Sequence, residues 1–260
     1  MAYFRRDDLR LAYDDTRPGG DEAGVALLVH GFATNRQENW RRLGWLTAFE
    51  RKGWRTVAID LRGHGESDKP HDPALYDRDR MAGDIIAVMD HLELRRVDLM
   101  GYSMGAHLAL AATLTHPDRV GNLILGGIGR RRQEAHAKTD MTMAEAMRAE
   151  QADAIVDPTL RGFRLFAEAQ GEDRLALAAC SEAAGRTLAM EDLGRMATPT
   201  LLVAGAADEI AGDPQPVADA ITGAKCVVLP GCDHFSAIPH ALFKAAVFDF
   251  LEGWLDEGLP

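Results

Sequence analysis

The chain has 260 residues, 47% of them hydrophobic, and its 29 Lys and Arg against 40 Asp and Glu give a formal charge of -11. That length admits one large domain or two small ones with a sizeable core, and the acidic balance repels phosphate backbones, so nucleic acid is not an expected partner. Cys180, Cys226 and Cys232 make no disulfide framework, the opening MAYFRRDDLRLAYDD lacks an apolar signal core, and no apolar run reaches the roughly 20 residues that cross a bilayer, so a soluble, cytoplasmic protein with no membrane partner is the expectation.

In chain order, FRRDDLRLAYDD reads as two short strands turning at Asp7-Asp8. GVALLVHG (Gly24–Gly31) is a continuous apolar run, the signature of a strand buried on both faces. A helix is expected over about Glu38–Lys52, then a strand in WRTVAID ending at Asp60. A helix over about Arg78–His91 carries Met81, Ile85, Val88, Met89 and Leu92 on one face. RRVDLMG is a strand, and Ser103–Thr115 a helix closed by His116-Pro117. VGNLILGG, TPTLLVAG and AKCVVLPG are the remaining strands, and a closing helix spans about His240–Leu255.

The alternation argues for an α/β fold with a mostly parallel central sheet flanked by helices. It fails between about Gly129 and Arg195, where helix formers punctuated by Pro158, Gly171 and Gly185 replace strands. This stretch is read as a small helical cap, 129–195, lying over the carboxyl edge of a core made of 1–128 and 196–260. The run Arg130-Arg131-Arg132 is read as a solvated face.

Gly101-Tyr102-Ser103-Met104-Gly105 has the form G-x-S-x-G between a strand and a helix, a nucleophile elbow. A serine lifted above a sheet on so sharp a turn needs strained backbone angles, and its crowded flanks favour glycine. Its hydroxyl then stands at a helix start, where free N–H groups and the dipole favour negative charge. A serine needs a base, and of the nine histidines His234 alone lies both later in the chain and in a loop after a strand. The base needs a carboxylate to fix its tautomer, and Asp208 stands three residues beyond Gly205 at a strand's end. Glu209 and Asp213 are read as solvated, and the loop after NLILGGIG offers no acid. An oxyanion would be held by the main-chain N–H groups of Met104, after the nucleophile, and Phe32, in HGF at His30–Phe32, with Gly31 letting the backbone approach.

With LVHGF, DLRGHGESDKP, GYSMG, GAAD and GCDHF, the sequence resembles the α/β-hydrolase family over almost its whole length, weakest in the insertion. It is most similar to the ester-cleaving and cofactor-free haloperoxidase (perhydrolase) branch. Epoxide hydrolases and haloalkane dehalogenases of the family have an aspartate where Ser103 stands, which disfavours both chemistries. The charged groups of Asp60–Pro70 are expected to bond backbone near the sheet edge rather than form a second site. No GxxxxGK[ST], HExxH or CxxC motif implies a nucleotide or metal cofactor.

The expectation is a serine hydrolase of carboxylic esters, thioesters or lactones acting on a small-molecule substrate with an apolar acyl part. A carbon–carbon bond hydrolase using the same three residues and a non-catalytic ligand-binding member of the fold stay open. Met141, Met143, Met147, Phe163 and Phe166 either wall the substrate pocket or pack the insertion onto the core. Oligomeric state is not legible.

Overall fold

A computed structural model describes residues 1–130, 141–183 and 190–256, with no account of the Met190 and Asp256 side chains. Arg131, Arg132 and Gly185 of the sequence reading lie outside the described residues. One eight-stranded sheet runs in the order β1-β2-β4-β3-β5-β6-β7-β8. Its strands are β1 (Ala2–Arg6), β2 (Leu9–Thr16), β3 (Gly24–Val29), β4 (Trp54–Ile59), β5 (Val97–Tyr102), β6 (Val120–Gly126), β7 (Thr200–Gly205) and β8 (Lys225–Leu229). The β1–β2 and β2–β4 pairings are antiparallel and every other pairing is parallel. The first hairpin turns on Asp7 and Asp8, both at positive φ (49° and 62°), the twist that matches flanking strands.

The continuous apolar runs are explained by two-sided burial. Leu27, Val29, Val57, Ile59, Leu99, Leu123, Leu125 and Leu202 face one core layer. Ala26, Leu28, Ala58, Met100, Ile124, Leu201 and Val203 face the other. The first layer is closed by α2 (Arg78–His91), α3 (Met104–Thr115) and α8 (Gln215–Asp219). The second is closed by α1 (Trp45–Arg51) and α9 (Ala241–Leu251), through Trp45, Phe49, Phe243, Val247 and Phe248.

Two helix expectations need correction. The stretch expected as one helix over Glu38–Lys52 is a π-helical turn at Gln37–Arg41 followed by α1, broken at Gly44, which sits at φ 73°. The closing helix stops at Leu251, because Gly253 at φ 80° turns the chain before a short 3₁₀ turn at Trp254–Asp256.

Between β6 and β7 the described residues form α4 (Met143–Arg148), α5 (Pro158–Ala169), α6 (Arg174–Glu182) and α7 (Met190–Leu193), with a 3₁₀ turn at Ala152–Ala154 and no strand. The helices α4, α5 and α6 share a small apolar core in which Ala144, Met147, Phe163, Ala167, Leu177 and Ala178 pack against Ala33, just past β3. The buried Glu172 reaches down to accept hydrogen bonds from Asn35 Nδ2 (2.9 Å) and the Gly65 amide (2.8 Å). The helical segment therefore rests on loops leaving the carboxyl ends of β3 and β4. Among the described residues no helix is long and apolar enough to cross a membrane.

Candidate active site

Ser103 is the residue between β5 and α3, at φ 53° and ψ -118°, a conformation strained for any residue with a Cβ. Its amide is spent on Gly126 O (2.8 Å), which pins the turn to β6. The flanking glycines are steric necessities. A Cβ on Gly101 would overlap the backbone of Gly105, and one on Gly105 would overlap the carbonyl oxygens of Val29 and His30. So α3 can start directly against β3 and hold Ser103 above the sheet only because both positions lack side chains.

His234 Nε2 lies 3.0 Å from Ser103 Oγ, and His234 Nδ1 lies 2.8 Å from Asp208 Oδ2. The other carboxylate oxygen of Asp208 accepts from the amides of Ile210 (3.1 Å) and Ala211 (2.8 Å), so the acid is fixed as an acceptor toward the imidazole. Both side chains are buried. The loops that carry them are joined: Ala206 N donates to Leu229 O and Ala207 N to Cys232 O, each at 2.9 Å. The Tyr102 hydroxyl donates to His234 O at 2.5 Å, and burial pushes that phenol above its ordinary range, so it stays a donor. The three predicted residues thus meet in one hydrogen-bonded line, drawn from loops after β5, β7 and β8.

The Phe32 and Met104 amides donate to no described residue. Gly31, between them and β3, behaves differently from the two elbow glycines. A Cβ there would sit 3.4 Å from Tyr102 O and 3.5 Å from Ser103 Cβ, which is ordinary contact, so its vacancy keeps space open beside the serine rather than avoiding a clash.

Sequence reasoning missed two supports of this turn. His30 is fully buried; its Nε2 accepts from the Leu61 amide (3.0 Å), so Nδ1 carries the proton and donates to Gly31 O (2.7 Å). Burial, with His64 beside it (ring centroids 5.2 Å apart), holds His30 well below the ordinary histidine range and keeps it neutral. Asn39 Oδ1 accepts from the Gly31 amide (3.3 Å) while its Nδ2 is buried with no hydrogen-bond partner. A strand-ending histidine and an asparagine in a helical run carry no local signal of such roles.

The charged groups of the Asp60–Pro70 loop bond neighbouring side chains as well as backbone. Asp60 accepts from the Arg36 and Glu66 amides (2.8 and 2.7 Å) and pairs with the Arg36 guanidinium, and Ser67 Oγ donates to Asp60 O (2.6 Å). Arg62 forks onto buried Asp84 (2.6 and 2.7 Å).

Two cavities open on either side of Ser103. The smaller, about 220 Å³, is lined by Phe32, Leu43, Phe163, Phe166, Phe235 and Ile238 beside Asn39 and His234. The larger, about 500 Å³, is lined by Tyr76, Arg78, Met104, Ile128 and Cys180 among others. Of the five apolar insertion residues, Phe163 and Phe166 wall the smaller cavity, whereas Met147 and Met143 pack the helices together. Met141 lies outside both cavities and precedes α4. Among the described residues no group of three or more His, Cys, Asp or Glu side chains is placed to hold a metal ion.

The family model described as alpha/beta hydrolase fold matches residues 25–178. A 2-hydroxymuconate semialdehyde hydrolase of Pseudomonas sp. (strain CF600) is 37% identical over 103 residues, covering 39% of this chain and 35% of that protein. The chain spans less than half the length of the curated relatives it matches. A solved hydrolase from Pseudomonas aeruginosa PA01 superposes with a TM-score of 0.79 at 27% identity, covering 96% of this chain and 97% of that one. The enol-lactonase from Burkholderia xenovorans LB400 does so at 0.76 and 25%, covering 96% and 99%.

Proposed function

The chain belongs to the alpha/beta hydrolase family, and from that premise we propose that it is a serine hydrolase of carboxylic esters, including lactones and thioesters. The observation that carries this reading is the unbroken line from Asp208 through His234 to Ser103, at 2.8 and 3.0 Å, ending on a strained serine beside two amides that donate to no described residue. Ser103 Oγ attacks the acyl carbon as His234 Nε2 takes its proton. Asp208 keeps the proton of the neutral ring on Nδ1 and stabilises the imidazolium that forms. The oxyanion receives hydrogen bonds from the Phe32 and Met104 amides, each worth about 3 kcal/mol of transition-state stabilisation. The imidazolium returns its proton to the leaving group, and water, deprotonated by His234, releases the acid from Ser103. Likeness to an enol-lactonase structure supports the ester and lactone substrate class.

The helical stretch 129–195 serves in this reading as a cap on the core formed by 1–128 and 196–260, with Phe163 and Phe166 giving an apolar wall to the substrate. The same three side chains suit a carbon–carbon bond hydrolase, a second reading favoured by the partial match to 2-hydroxymuconate semialdehyde hydrolase. Product analysis separates the two: steady-state turnover of p-nitrophenyl esters of graded acyl length against a vinylogous diketone, with Ser103→Ala as control. The ester reading requires Ser103-dependent ester turnover with the higher kcat/KM. Turnover of the diketone alone moves the assignment to the second reading, and turnover of neither leaves a binding protein.

A further inference from the structure

The larger cavity beside Ser103 holds a charge with no counterpart among the described residues. The buried arginines are matched by acids, Arg36 with Asp60 and Asp14, Arg55 with Asp15, Arg62 with Asp84 and Arg164 with Glu168, and half-buried Arg161 and Arg174 donate to backbone carbonyls. Arg78, the first residue of α2, lines the cavity that contains Ser103 and His234, and its guanidinium makes no ion pair or hydrogen bond among the described residues. Its Nη1 is buried without a partner. No aspartate or glutamate is among the described residues lining that cavity. Its other titratable neighbours supply no anion: burial raises the Cys180 thiol to about 12 and pushes the Tyr76 phenol above its ordinary range. Burial also pulls Arg78 below the ordinary arginine value, with only the adjacent Asp79 acting the other way.

An unpaired guanidinium half out of water is costly, and in a chain of net charge -11 a partner was available in abundance. The arrangement makes sense when the partner is carried in by the substrate, since a guanidinium fork matches a carboxylate in two parallel hydrogen bonds. Resting on the hydrolase reading, we propose that the substrate is a carboxylate-bearing ester or lactone, its carboxylate paired with Arg78 in the larger cavity and its apolar arm between Phe163, Phe166 and Phe235 in the smaller one. The site is thereby two-sided, one chamber for charge and one for hydrocarbon, with the scissile carbonyl held between them at Ser103.

The test is a substrate pair. The ratio of kcat/KM for mono-p-nitrophenyl glutarate to that for p-nitrophenyl pentanoate is measured in wild type, Arg78→Met and Arg78→Lys. A second pair, 4-butyryloxybenzoate and phenyl butyrate, carries the charge on the alcohol side. In at least one pair the wild-type ratio should exceed one, fall roughly 10- to 100-fold in Arg78→Met and recover in part in Arg78→Lys, the range expected for hydrogen bonds to a charged group. Ratios unchanged within threefold in both pairs overturn the proposal. If Arg78→Met does not fold, a wild-type ratio at or below one in both pairs overturns it equally. If no ester is turned over at all, the ester-hydrolase reading fails instead. Calorimetric binding of monomethyl glutarate to Ser103→Ala, at least tenfold weaker on adding Arg78→Met and partly restored with Arg78→Lys, then still supports the anion site, and equal or absent binding refutes it.

Discussion

Ser103 and Gly31 show how little separates a working site from an obstructed one. Ser103 keeps its φ of 53° because hydrogen bonding to Gly126 and packing of α3 on β3 outweigh a strain of about 1–3 kcal/mol. Alanine has the same Cβ, so Ser103→Ala should fold unchanged and lose turnover by a factor on the order of a million, measured with any ester the wild type cleaves. Gly31→Ala is a subtler probe. Its methyl meets only ordinary contacts, at 3.4 and 3.5 Å, yet would stand against Ser103 Cβ. Stability should change by less than about 1 kcal/mol, within the ordinary range of small substitutions, while kcat/KM falls at least tenfold. Equal losses in stability and activity would show that Gly31 serves the fold instead.

At the scale of elements, the fit between β3 and α3 decides where the nucleophile stands. A Cβ at Gly105 would enter the Val29 and His30 carbonyl oxygens, and backbone cannot yield as a flexible side chain can. Gly105→Ala should therefore cost about 1–3 kcal/mol in urea denaturation and also disturb the adjoining His30–Phe32 turn, lowering activity with stability. The elements themselves were largely legible, because strand runs, the G-x-S-x-G turn and the His234 loop each carry local signals. Where the reading failed, the cause each time was a glycine: Gly44 and Gly253 at positive φ interrupt helices that apolar spacing alone would continue. The order of Ser103, Asp208 and His234 along the chain was readable because each follows a strand in the parallel part of one sheet. His30, Asn39 and Arg78 were not readable as site residues, since what each touches, or fails to touch, is set by segments distant in sequence.

For the molecule as a whole, buried neutral histidines couple the site's scaffold to pH. His64 is fully buried, its Nδ1 donating to Arg62 O (3.0 Å), and burial with nearby Lys69 lowers it from 6.5 to about 4. His30 shifts in the same direction. The unfolded chain therefore binds protons that the folded chain refuses, so stability is full above pH 6.5 and falls as pH drops toward 4, by about 3 kcal/mol for His64 alone. The buried carboxyls of Asp60, Asp84 and Glu172, raised by burial, oppose this, because the folded chain takes up their protons first. The difference between wild type and His64→Gln isolates the histidine: unfolding midpoints at pH 7 and pH 4.5 should diverge less in the variant. An identical pH dependence would contradict a neutral buried His64.

The central claim is that Ser103 is a nucleophile activated by His234. Intact-mass measurement after exposure to a fluorophosphonate probe tests it most directly. The account predicts one adduct per chain, mapped to Ser103 and abolished in both Ser103→Ala and His234→Ala. No adduct on the folded wild-type protein, or one that persists in Ser103→Ala, would contradict it.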